Sequence, residues 1–354
     1  MGQPRVQAAC LCDRNVKAIL AAATLAVCFV AAEIGLRLYA AQSWRQGRPA
    51  EGEDVRDFQR LMRLSAHPEI GIELRPRLNV RFLGRPFQTN APGYRGRDFP
   101  TDKPAGLFRV VGLGDSVMMG WGAGQQETYL ARLEALLNEH FGPGRVEVLN
   151  FAVSGYNTAQ EYYVLKDIAL AYHPDLIILG YVGNDFEPPN FHRTPKRFNS
   201  RSCALNWLVS RIQVKLHLIA PDELYDWRPF SGDLGRVPAG FEEAFTDIAQ
   251  LTSEQRIPLI NVLDSRYQSE FLSHHEVAAL GAKLGVQTLD LYHLYRHLPK
   301  NLPRHKAVTI DDAHNRLYSI VGDTHANALW HERTARVLKD FILQRGLIEP
   351  ARAK

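Results

Sequence analysis

Cysteine is scarce in this chain: four occur in 354 residues, at positions 10, 12, 28 and 203. Three of them lie in or before an N-terminal apolar stretch, so Cys203 stands alone in the remainder and no disulfide framework can form there. Cys10 and Cys12 lack the further ligands a zinc site needs, and neither follows an apolar run as a lipid-modified cysteine would. Long Lys/Arg blocks are missing too. The net charge is only +4, and no basic stripe interleaved with aromatics is present to track a phosphate backbone, so nucleic acid is not an expected partner. "GLGDSV" lacks the third glycine of a dinucleotide fingerprint, and no Gly-Lys-Ser/Thr follows it, which argues against a nucleotide loop. Met118 occupies the last glycine position of a Gly-x-Ser-x-Gly elbow. His274, His275 and His331 have neither a His-Glu-x-x-His pattern nor a carboxylate cluster beside them, and read as helix-surface or packing histidines. Internal repeats and low-complexity tracts are absent.

With 45% hydrophobic and 23% charged residues, the chain has a globular composition and a length suited to one large domain plus an appendage. Residues 18–32 (AILAAATLAVCFVAA) carry no charge and follow Arg5, Arg14 and Lys17. Apolar character resumes after Glu33 with Ile34, Leu36, Leu38 and Tyr39, which favours an uncleaved membrane anchor over residues 1–40. Val30 and Ala32 would also suit a signal-peptidase site, so secretion after cleavage is the alternative. Arg37, Arg45 and Arg48 on the far side dilute the charge signal for orientation. An extracytoplasmic catalytic domain is the expectation.

Residues 41–105 are rich in Arg, Pro and Gly, with short alternations such as "LNVRFL", and read as a linker followed by docked strands or turns. From Phe108 onward, short apolar runs alternate with helical periodicity, the pattern of βαβ units around a parallel sheet. Five strands are expected in "FRVVGLG", "VEVLNFAV", "DLIILGYV", "IPLINVLD" and "VQTLDLY". Leu130, Leu133, Leu136, Leu137 and Phe141 line one face of a first helix, and "AQEYYVLKDIALAY" supplies a second that ends at His173-Pro174. A closing amphipathic helix runs from about Asn327 to Gln344. The expected fold is a three-layer α/β/α sandwich on a mainly parallel five-stranded sheet over 106–345, with a tail at 346–354. Residues 186–240 break the pattern with Pro, Arg and aromatics and form an insertion, either a packed excursion or a substrate cap.

In such a sheet, ligands bind beyond the carboxyl ends of the strands, and three suggestive loops fall there. "GLGDSVMMGWG" puts Ser116 at a strand-to-helix junction, where backbone N–H groups and the helix dipole favour negative charge. "NFAVSGYNT" leaves Gly155 after the second strand, able to bring its N–H close to an oxyanion. "GYVGNDFEP" presents the Asn184 carboxamide after the third. "GDTHANALWH" then places Asp323 and His325 just before the closing helix. Taken singly these are an N-cap, two turns and a capping Asp. Together they occur in the order and strand context that one acyl-transfer site requires.

The blocks "GDS" at 114–116, "NFAVSG" ending at Gly155, "GND" at 183–185 and "DTHAN" at 323–327 resemble those of the SGNH (GDSL-like) hydrolase superfamily over residues 106–345. "TNAPGYRGRDFP" before the first strand resembles bacterial members with an N-terminal membrane segment. The resemblance implies Ser116 as nucleophile and oxyanion donor, Gly155 and Asn184 as further donors, His325 as base and Asp323 as its orienter, with no metal or organic cofactor. Departures are Val182 two before Asn184, Ala152 in the second block, and a two-residue Asp-to-His spacing in the last. A rival Asp-x-x-His at Asp311 to His314 precedes a strand-like run rather than the closing helix, and is disfavoured for that reason. The implied activity is hydrolysis of a carboxylic ester, with an acylated glycan or lipid as substrate class. Acyl transfer to an envelope or secreted polysaccharide, and an inert binding module on the same scaffold, are the alternatives.

Overall fold

The computed structural model describes residues 4–45, 48–67, 69–183, 185–186, 202–216, 240–264, 274–291, 320, 323 and 325–348. The elements divide into two units. One holds helix α1 (Pro4–Arg45) together with a second helix, Cys203–Lys215. Within α1, Val16–Leu38 form a 23-residue stretch of mean hydropathy 2.2 with none of it buried. At about 1.5 Å per residue it spans roughly 35 Å, enough to cross a hydrocarbon core of about 30 Å.

The other unit begins with five short strands. β1 (Asp54–Val55), β4 (Asn79–Phe82) and β5 (Arg85–Gln88) make a three-stranded sheet, while β2 (Met62–Leu64) and β3 (Ile72–Leu74) pair antiparallel. This segment is docked rather than free. Leu61, Met62, Phe82 and Phe87 are buried, the Tyr156 hydroxyl donates to the Ile72 carbonyl at 2.7 Å, and the Gln160 side-chain amide donates to that of Ile70 at 2.6 Å.

The main sheet follows: β6 (Phe108–Leu113), β7 (Val146–Asn150), β8 (Leu176–Tyr181), β9 (Leu259–Leu263) and β10 (Gln287–Asp290). All are parallel, in the spatial order β10-β9-β8-β6-β7. All five fall within the apolar runs that predict strands. Every residue of β8 is buried, as a central strand covered on both faces must be.

Between them run α2 (Ser116–Met119), α3 (Tyr129–Phe141), α4 (Thr158–Asp167), α5 (Cys203–Lys215, in the first unit), α6 (Phe241–Glu254), α7 (His274–Lys283) and α8 (Ala328–Gln344). α3 packs on α8 and α4 on α6, and these helices, all of the second unit, flank the sheet. α3 buries Leu130, Leu133 and Leu137, with Leu136 and Phe141 half-buried at the edge of that face. The predicted second helix is shorter than its apolar pattern. It stops at Asp167, and a 3-10 turn over Ala169–Tyr172 continues it to His173, the residue before Pro174. α8 is capped by Asn327, whose side chain accepts the Trp330 N–H at 3.0 Å.

The order in which strands are added reverses beside β6: the chain steps to β7 on one side and then crosses to β8 on the other. The switch point therefore lies at the carboxyl ends of β6 and β8, where a crevice opens in folds of this kind.

Candidate active site

Ser116 is the third residue after β6 and the first of α2. Asp115 rather than Ser116 caps the helix, taking the Val117 N–H on Oδ1 at 2.9 Å. This frees the serine hydroxyl from a capping role. α2 lasts a single turn because Gly120 closes it in the left-handed conformation (φ 91, ψ 54), which a side chain would strain. A Cβ on Gly120 would also lie 2.4 Å from Thr128 Cγ2.

His325 Nε2 lies 3.0 Å from Ser116 Oγ, and its Nδ1 lies 2.6 Å from Asp323 Oδ1. The same Oδ1 accepts the His325 backbone N–H at 2.9 Å. That double contact explains the two-residue spacing: a carboxylate folded back in an Asx turn reaches the N–H two residues on, and here the ring N–H of the same residue as well. Further bonds close the loop, from the Ile320 N–H to the His325 carbonyl and from the Asp323 N–H to the Ile320 carbonyl, both at 2.9 Å. The ring hydrogen bond from His325 is the largest of the influences that hold the Asp323 carboxyl well below the usual carboxylate range, with the backbone N–H, the imidazole charge and an indole N–H adding to it against partial burial. Ser116 Oγ also lies 3.2 Å from Asp115 Oδ2. A hydroxyl has one proton, so Ser116 donates to Asp115 or to His325 at any moment, not to both.

Gly155 sits in the turn beyond β7 with φ 88. The Tyr156 N–H bonds the Val153 carbonyl at 3.1 Å, so Gly155 occupies the turn position that demands positive φ. Bonds from Phe151 N–H to Gly112 carbonyl (2.8 Å) and Val153 N–H to Gly114 carbonyl (3.1 Å) hold this loop alongside the Ser116 loop. Asn184 lies outside the described residues, as do Asp311 and His314 of the rival pair. Its neighbour Asp185 is buried and ties the third loop down. Oδ2 takes the Val182 N–H at 2.6 Å. Burial, reinforced by Asp115, pushes the Asp185 carboxyl well above its ordinary range.

Two residues near the site were not singled out from the sequence. The Trp121 indole stacks on His325, with ring centroids 4.6 Å apart and planes 16° apart, while its Nε1–H donates to Asp323 Oδ2 at 3.0 Å. Trp121 rests in turn on Phe58 and Phe82 at 4.9 and 4.8 Å. Arg95, fully buried, donates to the carbonyls of Met119 (3.0 Å), Gly120 and Ala123 (2.6 Å), so a guanidinium from the segment before the main sheet gathers the backbone at the end of α2. "GWG" and "GYRG" are visible in the sequence, but neither has a periodicity that points to the site. Of the histidines without a motif, His331 is buried in packing, stacked on Tyr129 and accepting its backbone N–H at 3.3 Å, and His275 is exposed on α7.

The family model for the GDSL-like lipase/acylhydrolase family matches residues 113–333, more than half the chain and the whole span from the end of β6 into α8. The chain belongs to the GDSL-like lipase/acylhydrolase family. Among solved structures, this acylhydrolase-family chain is similar to the lipase/acylhydrolase from Enterococcus faecalis at 14% identity and a TM-score of 0.42, covering 70% of this chain and 100% of that one. It is also similar to the psychrotrophic esterase EstA from Pseudoalteromonas sp., solved inhibited by monoethylphosphonate, at 11% identity and TM-score 0.40 over 68% and 98% of the two chains. A two-domain esterase, CEX, active on acetylated mannans, shares 11% identity and TM-score 0.40 over 69% of this chain and 50% of its own. No curated protein matches the chain.

Proposed function

We propose that this chain is a membrane-anchored serine ester hydrolase, with Ser116 as nucleophile, His325 as general base and Asp323 as the group that orients the imidazole. The observation that carries the reading is the continuous line of contacts from Ser116 Oγ through the imidazole to Asp323, 3.0 Å and 2.6 Å long. Asp323 accepts a hydrogen bond from the Nδ1–H, which fixes the tautomer that leaves the Nε2 lone pair facing the hydroxyl. As Ser116 Oγ attacks the ester carbonyl carbon, its proton passes to Nε2, and Asp323 stabilises the imidazolium. The tetrahedral oxyanion is met by the backbone N–H groups of Ser116 and Gly155 and by the side chain of Asn184, each such donor being worth about 10²–10³ in rate. His325 then returns the proton to the departing alkoxide, which leaves as the alcohol. Water, deprotonated by the same nitrogen, attacks the acyl-serine, and the carboxylic acid is released as Ser116 regains its proton.

The apolar stretch Val16–Leu38 is what supports an anchor; the extracytoplasmic side for the catalytic unit and an acylated glycan or lipid as substrate class are part of the same proposal. The test uses the full chain in detergent. It should hydrolyse short p-nitrophenyl esters and take up a fluorophosphonate label, with Ser116→Ala abolishing both. A wild-type chain that does neither would sink the enzyme reading.

A further inference from the structure

Glu33 is the one acidic residue within the apolar stretch Val16–Leu38 of α1, and an unpartnered carboxylate among lipid chains is costly. Its partners come from the insertion. Glu33 Oε2 accepts from the Ser202 hydroxyl and from the Ala204 N–H, both at 2.8 Å, and Oε1 accepts from the Cys203 N–H at 3.1 Å. Arg37 one turn later donates to Oε1 at 2.6 Å. The carboxylate therefore caps the N-terminus of α5 and joins it to α1 within one unit.

What α5 then presents is ordered. Leu208, Ile212 and Leu216, exposed at four-residue intervals, form one row on and just beyond the helix. Trp207, Arg211 and Lys215 are exposed in the next row, about 100° round, with the Arg211 guanidinium 5.5 Å from the Trp207 ring centroid. The sequence CALNWLVSRIQVK contains no acidic residue. An apolar row beside a Trp-Arg-Lys row is the pattern of a helix lying in a membrane interface, where the tryptophan sits at headgroup depth and the cations meet phosphates. Depth agrees with this. Glu33 is five residues before the end of the apolar stretch at Leu38, so α5 is attached about 8 Å inside the boundary, and interfacial helices bury their apolar face by about 5–10 Å.

We propose that α5 is a second membrane element: an interfacial helix fixed to the anchor at Glu33, with Leu208, Ile212 and Leu216 among acyl chains and Trp207, Arg211 and Lys215 against anionic phospholipid headgroups. This rests on the reading of α1 as a retained anchor, and it makes the N-terminal segment a folded partner of the insertion rather than a disposable leader.

The test is made on the full chain with Cys10, Cys12, Cys28 and Cys203 replaced by Ser, reconstituted in vesicles of phosphatidylethanolamine and phosphatidylglycerol. An environment-sensitive fluorophore is placed on Leu208→Cys, Ile212→Cys or Leu216→Cys, with vesicles that lack the nitroxide lipid as the control. Lipid-borne nitroxide should remove most of the emission at 208, 212 and 216. Glu33→Leu should diminish the quenching at 212, and an undiminished signal would overturn the link between the helices. Water-like, unquenched emission at 208, 212 and 216 would overturn the proposal. So would emission shifted to the blue but insensitive to the lipid quencher, which marks a protein partner or a second copy. Should the cysteine-free chain not fold, wild type and Trp207→Phe are compared in vesicles of brominated lipid, where the variant should lose part of the lipid-quenched tryptophan emission and an equal signal would overturn the placement. Intact mass and resistance to alkaline extraction report separately on α1. A chain lacking its first residues removes the anchor reading, whereas an intact, extraction-resistant chain with unquenched labels removes only the role of α5.

Discussion

Replacing Trp121 by Phe removes one N–H while keeping an aromatic ring against His325, and so isolates the hydrogen bond to Asp323. That bond is 3.0 Å long and ends on a carboxylate, a class worth about 1.5–3 kcal/mol. Asp323 and His325 are 27% and 25% exposed, and Oδ1 keeps its two contacts to His325, which puts the loss at the low end. A cost of about 1.4 kcal/mol corresponds to a tenfold fall in rate. The expected result for Trp121→Phe is therefore a kcat lowered about tenfold on a p-nitrophenyl ester with KM nearly unchanged, since the lost hydrogen bond acts through Asp323. Trp121→Ala, which also removes the stack and its support on Phe58 and Phe82, should fall further. The pH–rate profile separates positioning from loose packing: with the carboxylate less firmly held, the acid limb of kcat/KM should move in Trp121→Phe, whereas a purely structural loss would lower the profile without shifting it. Wild-type kcat and an unmoved profile in Trp121→Phe would refute the assignment.

Asp323→Asn keeps the shape of the loop but offers an amide where the imidazole needs an acceptor, and kcat should drop by roughly 10⁴, as in other Ser-His-Asp sites; the check is steady-state kinetics with KM recorded separately. Arg95→Leu strands the buried carbonyls of Met119, Gly120 and Ala123, and denaturant titration should show a loss of about 3 kcal/mol. Arg95→Lys should recover little of this, because a single ammonium cannot reach the carbonyls that the fork holds together. Glu161 on α4 is buried with no hydrogen-bond partner for either carboxyl oxygen, and burial first, then Asp185 and Asp115, hold its carboxyl well above the ordinary value of 4.5. Native and unfolded chains both keep this proton below that value. As pH rises through 4.5 the unfolded chain releases it first, so stability declines from there up to the raised native value. Glu161→Gln should therefore raise the thermal midpoint at pH 8 and leave it nearly unchanged at pH 4; equal shifts at both would count against a retained proton.

The strand and helix assignments were legible because burial leaves a periodic record. β8 is covered on both faces and reads as an unbroken apolar run, and the Leu130, Leu133 and Leu137 spacing of α3 follows from packing one stripe against neighbours. The end of α4 at Asp167 was not legible, since apolar residues continue into the 3-10 turn and periodicity does not distinguish the two helices over one turn. Trp121 and Arg95 escaped for a different reason. Each acts through side-chain contacts with residues distant in sequence, the Asp323–His325 pair for Trp121 and the Met119–Ala123 backbone for Arg95, and such pairings leave no local pattern.

Residue types and order by themselves determined the class of fold, the candidate serine, histidine and aspartate, and the existence of an apolar N-terminal helix, because these depend on periodicity and on blocks a few residues long. Tertiary structure alone decided that a hydroxyl 209 positions from the imidazole stands 3.0 Å from it, that an indole stacks on that imidazole, and that Glu33 is satisfied by residues 202–204. Those distances are set by how the sheet winds and which loops converge at its switch point, and folding brings them about through many weak contacts between segments far apart in sequence.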